Sequence, residues 1–302
     1  MLSLKDTVKQ LPTVRSLHGF LRRVRRGFLD TESLDQQLQQ ILINQYRLLV
    51  SKGELPRLRI AEAGFRCYSQ FEEDGIILYV LSVIGMKTRK VVEMCCGDGS
   101  ECMASNLILN HGFTGYLFDG RRSNIKAAEK FFRMKPDSFW TPPKLRCAWI
   151  SQENVNDLLR EAGATGEVDL FSLDLDGNDY YIWEAITEIN PRLCVFETHN
   201  PIPGHLSLTM PYDPVFDFSS KHGSEREFRS VSLLAMKKLS ESKGYRMIGA
   251  HRHGFNVFFL RNDIGTDFFP EVTVKEVHDN YATKLAQSER WPLMEHFDWR
   301  RV

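Results

Sequence analysis

Two short runs carry carboxylates dense enough to do chemistry. Residues 172–186, SLDLDGNDYYIWEAI, crowd Asp174, Asp176, Asn178 and Asp179, and residues 195–200, VFETHN, supply Glu197, His199 and Asn200. Asp174 and Asp176 are two apart, which on a strand aims both at the same rim. An oxygen-rich set of Asp174, Asp176, Glu197 and Asn200 suits Mg²⁺, which prefers hard ligands and keeps waters. Such an ion holds a diol and lowers a hydroxyl's pKa. Without it, Glu197 or His199 is the candidate general base, with Asp174 near the reacting oxygen. The plainer alternative is that these carboxylates cap helices, Asp179 first among them. An EF-hand is excluded by spacing, since counting from Asp174 puts Gly177 fourth and Ala185 twelfth.

A second constellation is VVEMCCGDGSEC, residues 91–102. Glycines at 97 and 99 directly after a strand permit a tight turn and close approach of a ligand to the backbone. A dinucleotide fingerprint would need a third glycine where Cys102 stands, and a phosphate-binding Walker loop would need a GK[ST] ending. Asp98 would also repel a pyrophosphate. S-adenosylmethionine carries no phosphate, and its sulfonium and ammonium groups are cationic, so Glu93 and Asp98 favour it. Asp119, in LFDG at residues 117–120, lies some twenty residues on, where a carboxylate accepts both ribose hydroxyl bonds. Nicotinamide enzymes use the same device, so Asp119 alone points to a nucleoside without choosing the cofactor. Cys95 and Cys96 are expected to be packing residues.

These residues need strands that end together. After Tyr68 the pattern alternates: helix 71–84, strand 90–96, helix 100–110, strand 115–118, helix 123–134, strand 145–150, helix 152–162, strand 168–173, helix 179–188, strand 192–197. Residues 198–223 break the rhythm with Pro201, Pro203, Pro211 and Pro214, and Tyr212 and Asp213 there are candidates to shape an acceptor pocket. A helix is expected over 225–243, then strands 245–250 and 256–261 joined by a short turn, which must be antiparallel. Repeated strand–helix units require a mostly parallel sheet covered on both faces. The expected fold class is therefore α/β, a seven-stranded, mostly parallel sheet with an antiparallel last strand, preceded by N-terminal helices. In such a sheet ligands sit beyond the carboxyl ends of the strands.

The chain has 302 residues, with 39 Lys+Arg balancing 39 Asp+Glu, so nothing global draws it to nucleic acid. Three parts are expected: a helical extension over 1–64, a catalytic domain over 65–263, and a tail over 264–302 that packs on the body or serves as a lid or dimer contact. Val14, Leu17, Leu21, Val24 and Phe28 recur at helical spacing among arginines. That helix docks on its own domain or a twin subunit, making a homo-oligomer, or lies on an anionic membrane surface. Leu34, Leu38, Ile41, Leu42, Leu48 and Leu49 mark one side of a second helix. The longest apolar run, residues 75–85, is too short to span a bilayer. Six cysteines without a CxxC pair read as buried hydrophobes, and a cytoplasmic location is expected.

Taken in order, YSQFEEDGI, VVEMCCGDGSECMASNLI, LFDGRRSN, SLDLDGNDYYIWEAI, VFETHN and SLLAMKKLSESKGYRMIGAHRHGFNVFFLRND resemble the FkbM-like S-adenosylmethionine-dependent methyltransferases, most of all the subset associated with polysaccharide and glycoconjugate biosynthesis. The resemblance covers roughly residues 65–263. It implies a Rossmann-like class I methyltransferase fold, cofactor at Gly97, Asp98, Gly99 and Asp119, and O-methylation of a sugar or glycan hydroxyl. It also implies that Ser69, Gln70 and Asp74 close over the cofactor's amino-acid end. Cys95-Cys96 and Arg121-Arg122 depart from the family's pattern. Alternatives are a methyltransferase for a lipid or secondary metabolite, and a cofactor-free scaffold.

Overall fold

The structure is a computed structural model that describes residues 32–56 and 58–302. The described residues fall into two units, divided after Leu42. The basic amphipathic helix expected around Val14–Phe28 lies outside the described residues. Helix α1, Glu32–Lys52, ends at Gly53 in the left-handed region (φ 68°). Of its expected apolar stripe, Leu38, Ile41 and Leu48 are exposed and Leu42 and Leu49 are half-buried, whereas Ile43 is buried and Tyr46 packs edge-on against Tyr79. No helix among the described residues is long and apolar enough to cross a membrane.

From residue 73 the chain runs α2 (Glu73–Ile84), β1 (Lys90–Met94), α3 (Met103–His111), β2 (Thr114–Asp119), α4 (Arg122–Arg133), β3 (Lys144–Cys147), α5 (Val155–Ala162), β4 (Gly166–Leu173), α6 (Asp179–Ala185) and β5 (Ile189–Glu197). Then come β6 (Leu208–Thr209), α7 (Leu233–Ser242), β7 (Tyr245–Ala250), β8 (Asn256–Arg261), α8 (Val274–His278), α9 (Tyr281–Glu289) and β9 (Arg300–Arg301). The large sheet has the order β3-β2-β1-β4-β5-β8-β7. Strands β1 to β5 pair in parallel, and β8 is antiparallel to both β5 and β7. This is the seven-stranded, mostly parallel Rossmann-like sheet with an antiparallel last strand that the strand–helix alternation predicts. The carboxyl ends of β1, β2, β4 and β5 lie side by side, so the residues that follow them share one edge.

Alternation along each strand builds the two apolar layers. Val92, Met94, Phe171, Phe196 and Phe259 face one layer with Trp183, Leu233 and Met236. Val91, Leu170, Val195 and Phe258 face the other with Ile76, Ile77, Leu107 and Ile125. Helix ends follow local chemistry: Gly112 (φ 64°) and Gly163 (φ 77°) close α3 and α5 with left-handed caps, and the Ser232 side chain accepts from Ala235 N at the start of α7. The helix expected over 225–243 is shorter, because Ser230 is left-handed (φ 58°) and Val231 bridges to Thr209, so helical geometry begins only after Ser232.

At the opposite edge of the sheet, Asp169 is fully buried and accepts from the backbone N–H groups of Lys87, Thr88 and Arg89 and from Arg192, itself buried, at 2.7 Å. Asp169→Ala leaves three N–H donors unmatched and the buried Arg192 guanidinium, still bonded to the carbonyls of Ile84 and Gly85, without its counter-charge. Loss of about 3–5 kcal/mol is expected, read as an earlier denaturant midpoint. The tail is part of the body: β9 pairs antiparallel with β6, and Met294, Trp291, Phe297 and Trp299 pack with Ile202, Leu206 and Leu208.

Candidate active site

The turn after β1 is built as a cradle. Gly97 (φ 57°) and Gly99 (φ 77°) are left-handed, and space beside the Gly97 Cα is open to 4 Å, whereas a Cβ on Gly99 would meet Phe132 at 2.9 Å. Cys95 is also left-handed (φ 73°), an uncommon state for a side chain-bearing residue. Cys96 is buried as expected, but Cys95 is exposed, so only one of the pair is a packing residue. All six cysteines are free thiols.

Asp119 closes the turn from the neighbouring strand. Its Oδ2 accepts from Gly97 N at 3.0 Å, and its Oδ1 accepts from Arg121 N at 2.8 Å and from Asn124 Nδ2 at 3.1 Å. A carboxylate has about four acceptor sites. Three are taken by the protein, so the buried Asp119 has one acceptor site unused, not the pair that sequence reasoning assigned to a ribose. Asp98 is occupied locally, with Oδ1 accepting from Ser100 N and Oγ.

Glu93 points away from the turn, toward the start of α3. Its carboxyl accepts from Met103 N at 3.0 Å, Ala104 N at 2.6 Å and the Cys102 thiol at 3.1 Å. Four orphan N–H groups open any helix, and a buried acceptor there satisfies two of them. Desolvation raises the Glu93 pKa to about 7 against these hydrogen bonds. Because that lies above the ordinary carboxyl value of about 4.3, the folded state binds the extra proton. The resulting stability is full at low pH and is lost as pH rises through about 7. Glu93→Gln carries no such dependence. Its stability relative to wild type is therefore expected to improve from pH 5 to pH 8 in denaturant titrations.

Ser69 and Asp74 are engaged with each other. Asp74 Oδ2 accepts from the backbone N–H groups of Cys67, Tyr68 and Ser69 and from Ser69 Oγ, forming a latch that holds the segment against α3, where Tyr68 O accepts from Cys102 N. Gln70 is exposed beside them. Desolvation raises the Asp74 pKa to about 6.

The second half of the site lies where β4 and β5 end. Leu173 pairs with Phe196, so Asp174 and Glu197 come next and face one another. Asp174, Asp176 and Glu197 converge, with one oxygen of each within 4.8 Å of the others. The Asn200 amide is tied to later segments, its Nδ2 donating to His253 O at 3.1 Å and to Thr283 Oγ1 at 3.2 Å. Desolvation raises the Glu197 pKa well above the carboxyl range, and Asp174 adds to the shift. His199 is buried, bonds Glu227 O through Nε2 at 2.8 Å, and has its pKa lowered to about 3 by desolvation. An imidazole so weakly basic stays neutral. Asp179 accepts from Leu175 N and Gly177 N, fixing the turn that presents Asp174 and Asp176, while Asp176 itself is left-handed (φ 58°).

Arg229, which sequence reasoning missed, forms an ion pair with Asp176 and lies 3.9 Å from Glu197 Oε2. It sits in an aperiodic stretch between glycine and serine turns, so no spacing rule marks it. The segment before it straps the strand ends together. Asp217 pairs with Arg121 at 3.2 Å, Trp149 Nε1 donates to Pro214 O at 2.9 Å, Asn178 Nδ2 donates to Asp213 O at 2.7 Å, and Phe216 packs on Gly177. Tyr212 Oη accepts from Gln152 N and bonds Glu153. Trp149 also lies over Gly120, so close that a Cβ there would sit 2.7 Å from its ring, and it remains part-exposed beside Asp119.

No protein-family profile and no curated protein matches this chain. Among solved structures, similarity is found to a S-adenosylmethionine-dependent methyltransferase from Clostridium acetobutylicum ATCC 824 (12% identity over 70% of this chain and 94% of that one, TM-score 0.39). It is found also to the N-terminal domain of EvdMO1 with SAH bound (11%, 72% and 96%, TM-score 0.40) and to the plantazolicin methyltransferase BamL with a triazolic desmethylPZN analog and SAH (14%, 87% and 91%, TM-score 0.36). Likenesses this distant carry no argument about chemistry.

Proposed function

We propose that the chain is an S-adenosylmethionine-dependent O-methyltransferase of the FkbM-like kind, acting on a sugar or glycan hydroxyl. The observation that carries this reading is the juxtaposition on one sheet edge of the open, left-handed glycine turn pinned by Asp119 and the Asp174–Glu197 carboxyl pair. The first suits a nucleoside, and the second suits proton removal from a hydroxyl.

The residues present fit the cofactor. The open side at Gly97 gives room for close approach, Asp119 offers one acceptor site to a ribose hydroxyl, and the part-exposed Trp149 ring is a surface on which a nucleobase stacks. When bound, S-adenosylmethionine supplies a sulfonium methyl: the acceptor oxygen forms the C–O bond as the C–S bond breaks, leaving S-adenosylhomocysteine. The residues of this chain do the rest. Glu197, held beside Asp174, takes the hydroxyl proton, since burial has made it a stronger base than an ordinary carboxylate. Asp174 orients that carboxyl and completes the hydroxyl's hydrogen bonds. His199 shapes the pocket and stays neutral. The 210–220 strap limits water at the strand ends.

A divalent ion does not fit this carboxylate set as it stands, because the guanidinium of Arg229 is bound to Asp176 and adjacent to Glu197. No step is routed through a metal.

The test is transfer of radiolabelled methyl from S-adenosylmethionine to a cell extract separated into glycan and lipid fractions. Alkali-stable label in the glycan fraction is expected. Label confined to lipid, or to a nitrogen acceptor, contradicts the assignment.

A further inference from the structure

The carboxylates at the ends of β4 and β5 are already supplied with a positive charge, and its position is informative. Three carboxyl groups within 4.8 Å of one another repel when ionised, and the repulsion is relieved by protonation, the direction in which Glu197 is pushed, or by a cation among them. Arg229 is that cation here: its Nη1 binds Asp176 and sits 3.9 Å from Glu197, and its side chain is only 16% exposed. The guanidinium carbon lies 4.5 Å over the Phe218 ring. The backbone that delivers it is fixed by the left-handed Ser230, whose carbonyl accepts from Met210 N, and by Val231, whose carbonyl accepts from His199 N. Asp176, its partner, is left-handed as well. Non-glycine residues in that region persist only where their surroundings over-determine them, and such positions gather at functional sites. The Nε–H of Arg229 is buried and has no hydrogen-bond partner among the described residues.

We propose that Arg229 is the built-in substitute for a divalent metal: it neutralises the Asp176–Glu197 side of the site and offers its Nε–H to an oxygen of the acceptor. The inference rests on the methyltransferase reading for the acceptor contact, but the charge substitution stands on geometry alone. A guanidinium beside the acceptor oxygen favours the alkoxide character that develops as the proton leaves, which is the service a metal would give. It also fits a neutral polyol better than a catechol-like chelate, because it presents donors rather than open coordination positions.

The consequence is that removing the guanidinium should create a metal site. Wild-type protein, Arg229→Met and Arg229→Lys are titrated with Mn²⁺ by calorimetry and by the loss of free-ion electron paramagnetic resonance signal, with S-adenosylhomocysteine titrated in parallel. Mn²⁺ is expected to bind Arg229→Met at least tenfold more tightly than wild type, and this gain is expected to vanish when Asp176→Asn is added. Arg229→Lys, which keeps the charge, is expected to resemble wild type. Should Arg229→Met fail to fold by circular dichroism, Arg229→Gln takes its place. Wild-type protein binding Mn²⁺ as tightly as the neutral variant overturns the proposal, and so does a folded neutral variant that gains no affinity. Failure of S-adenosylhomocysteine to bind wild type would count against the methyltransferase reading instead, leaving the Mn²⁺ comparison interpretable.

Discussion

Replacing Glu197 with glutamine is expected to slow methyl transfer by about 10²–10⁴-fold, the usual span for loss of a positioned general base. The substitution keeps the size of the side chain and its place one residue beyond the β4–β5 pairing, but an amide takes no proton. Binding of S-adenosylhomocysteine is expected to stay at the wild-type level, because Glu197 belongs to the acceptor half of the edge and the glycine turn to the other. The pH profile separates this role from a structural one. In the proposed reaction Glu197 acts in its ionised form, and burial together with Asp174 holds its pKa well above the carboxyl range. Turnover of the wild type should therefore rise as pH rises through that elevated pKa. The residual turnover of Glu197→Gln should lack the rise. A glutamine variant with full activity, or one whose pH profile matches the wild type, removes Glu197 from the proton path.

Asp119→Ala is expected to weaken S-adenosylhomocysteine by at least tenfold while the far-ultraviolet circular dichroism is unchanged. The side chain does two things at once: it holds the N–H groups of Gly97 and Arg121 and the Asn124 amide, and it leaves one acceptor site for ligand. Hydrogen bonds to a charged group contribute about 1.5–3 kcal/mol each, and a single one of these lost from the bound state accounts for the expected change. The core strands do not depend on this carboxylate, since β1 and β2 pair along their whole length through backbone bonds. Calorimetry on the two proteins under identical conditions is the measurement. Equal affinity would separate Asp119 from the cofactor.

Much of this architecture could be read from residue order because local and global signals agree. Strands 245–250 and 256–261 fall where the sequence puts them, since alternating residues there feed two apolar layers and Gly244 stops the preceding helix. The glycine turn and the convergence of Asp174, Asp176 and Glu197 follow from strand ends sharing an edge. What was not legible depends on long-range geometry. Asn200 looks like a fourth ligand in VFETHN, but the chain turns after Glu197 and its amide is claimed by His253 and Thr283 from later segments. Glu93 looks like a cofactor contact in the turn motif, yet strand alternation sends it under α3, where helix N–H groups claim it. Arg229 gains its role from the left-handed Ser230, and no composition rule places a serine there. The small β6–β9 pairing joins segments too short and too far apart in sequence to announce themselves.

The central claim, that a sulfonium nucleoside occupies the turn leaving β1, is most directly tested by titrating S-adenosylhomocysteine into the wild-type protein by calorimetry while following its melting temperature. One site per chain, with an accompanying rise in melting temperature, is the expected result. Absence of both heat and stabilisation at millimolar ligand would contradict it.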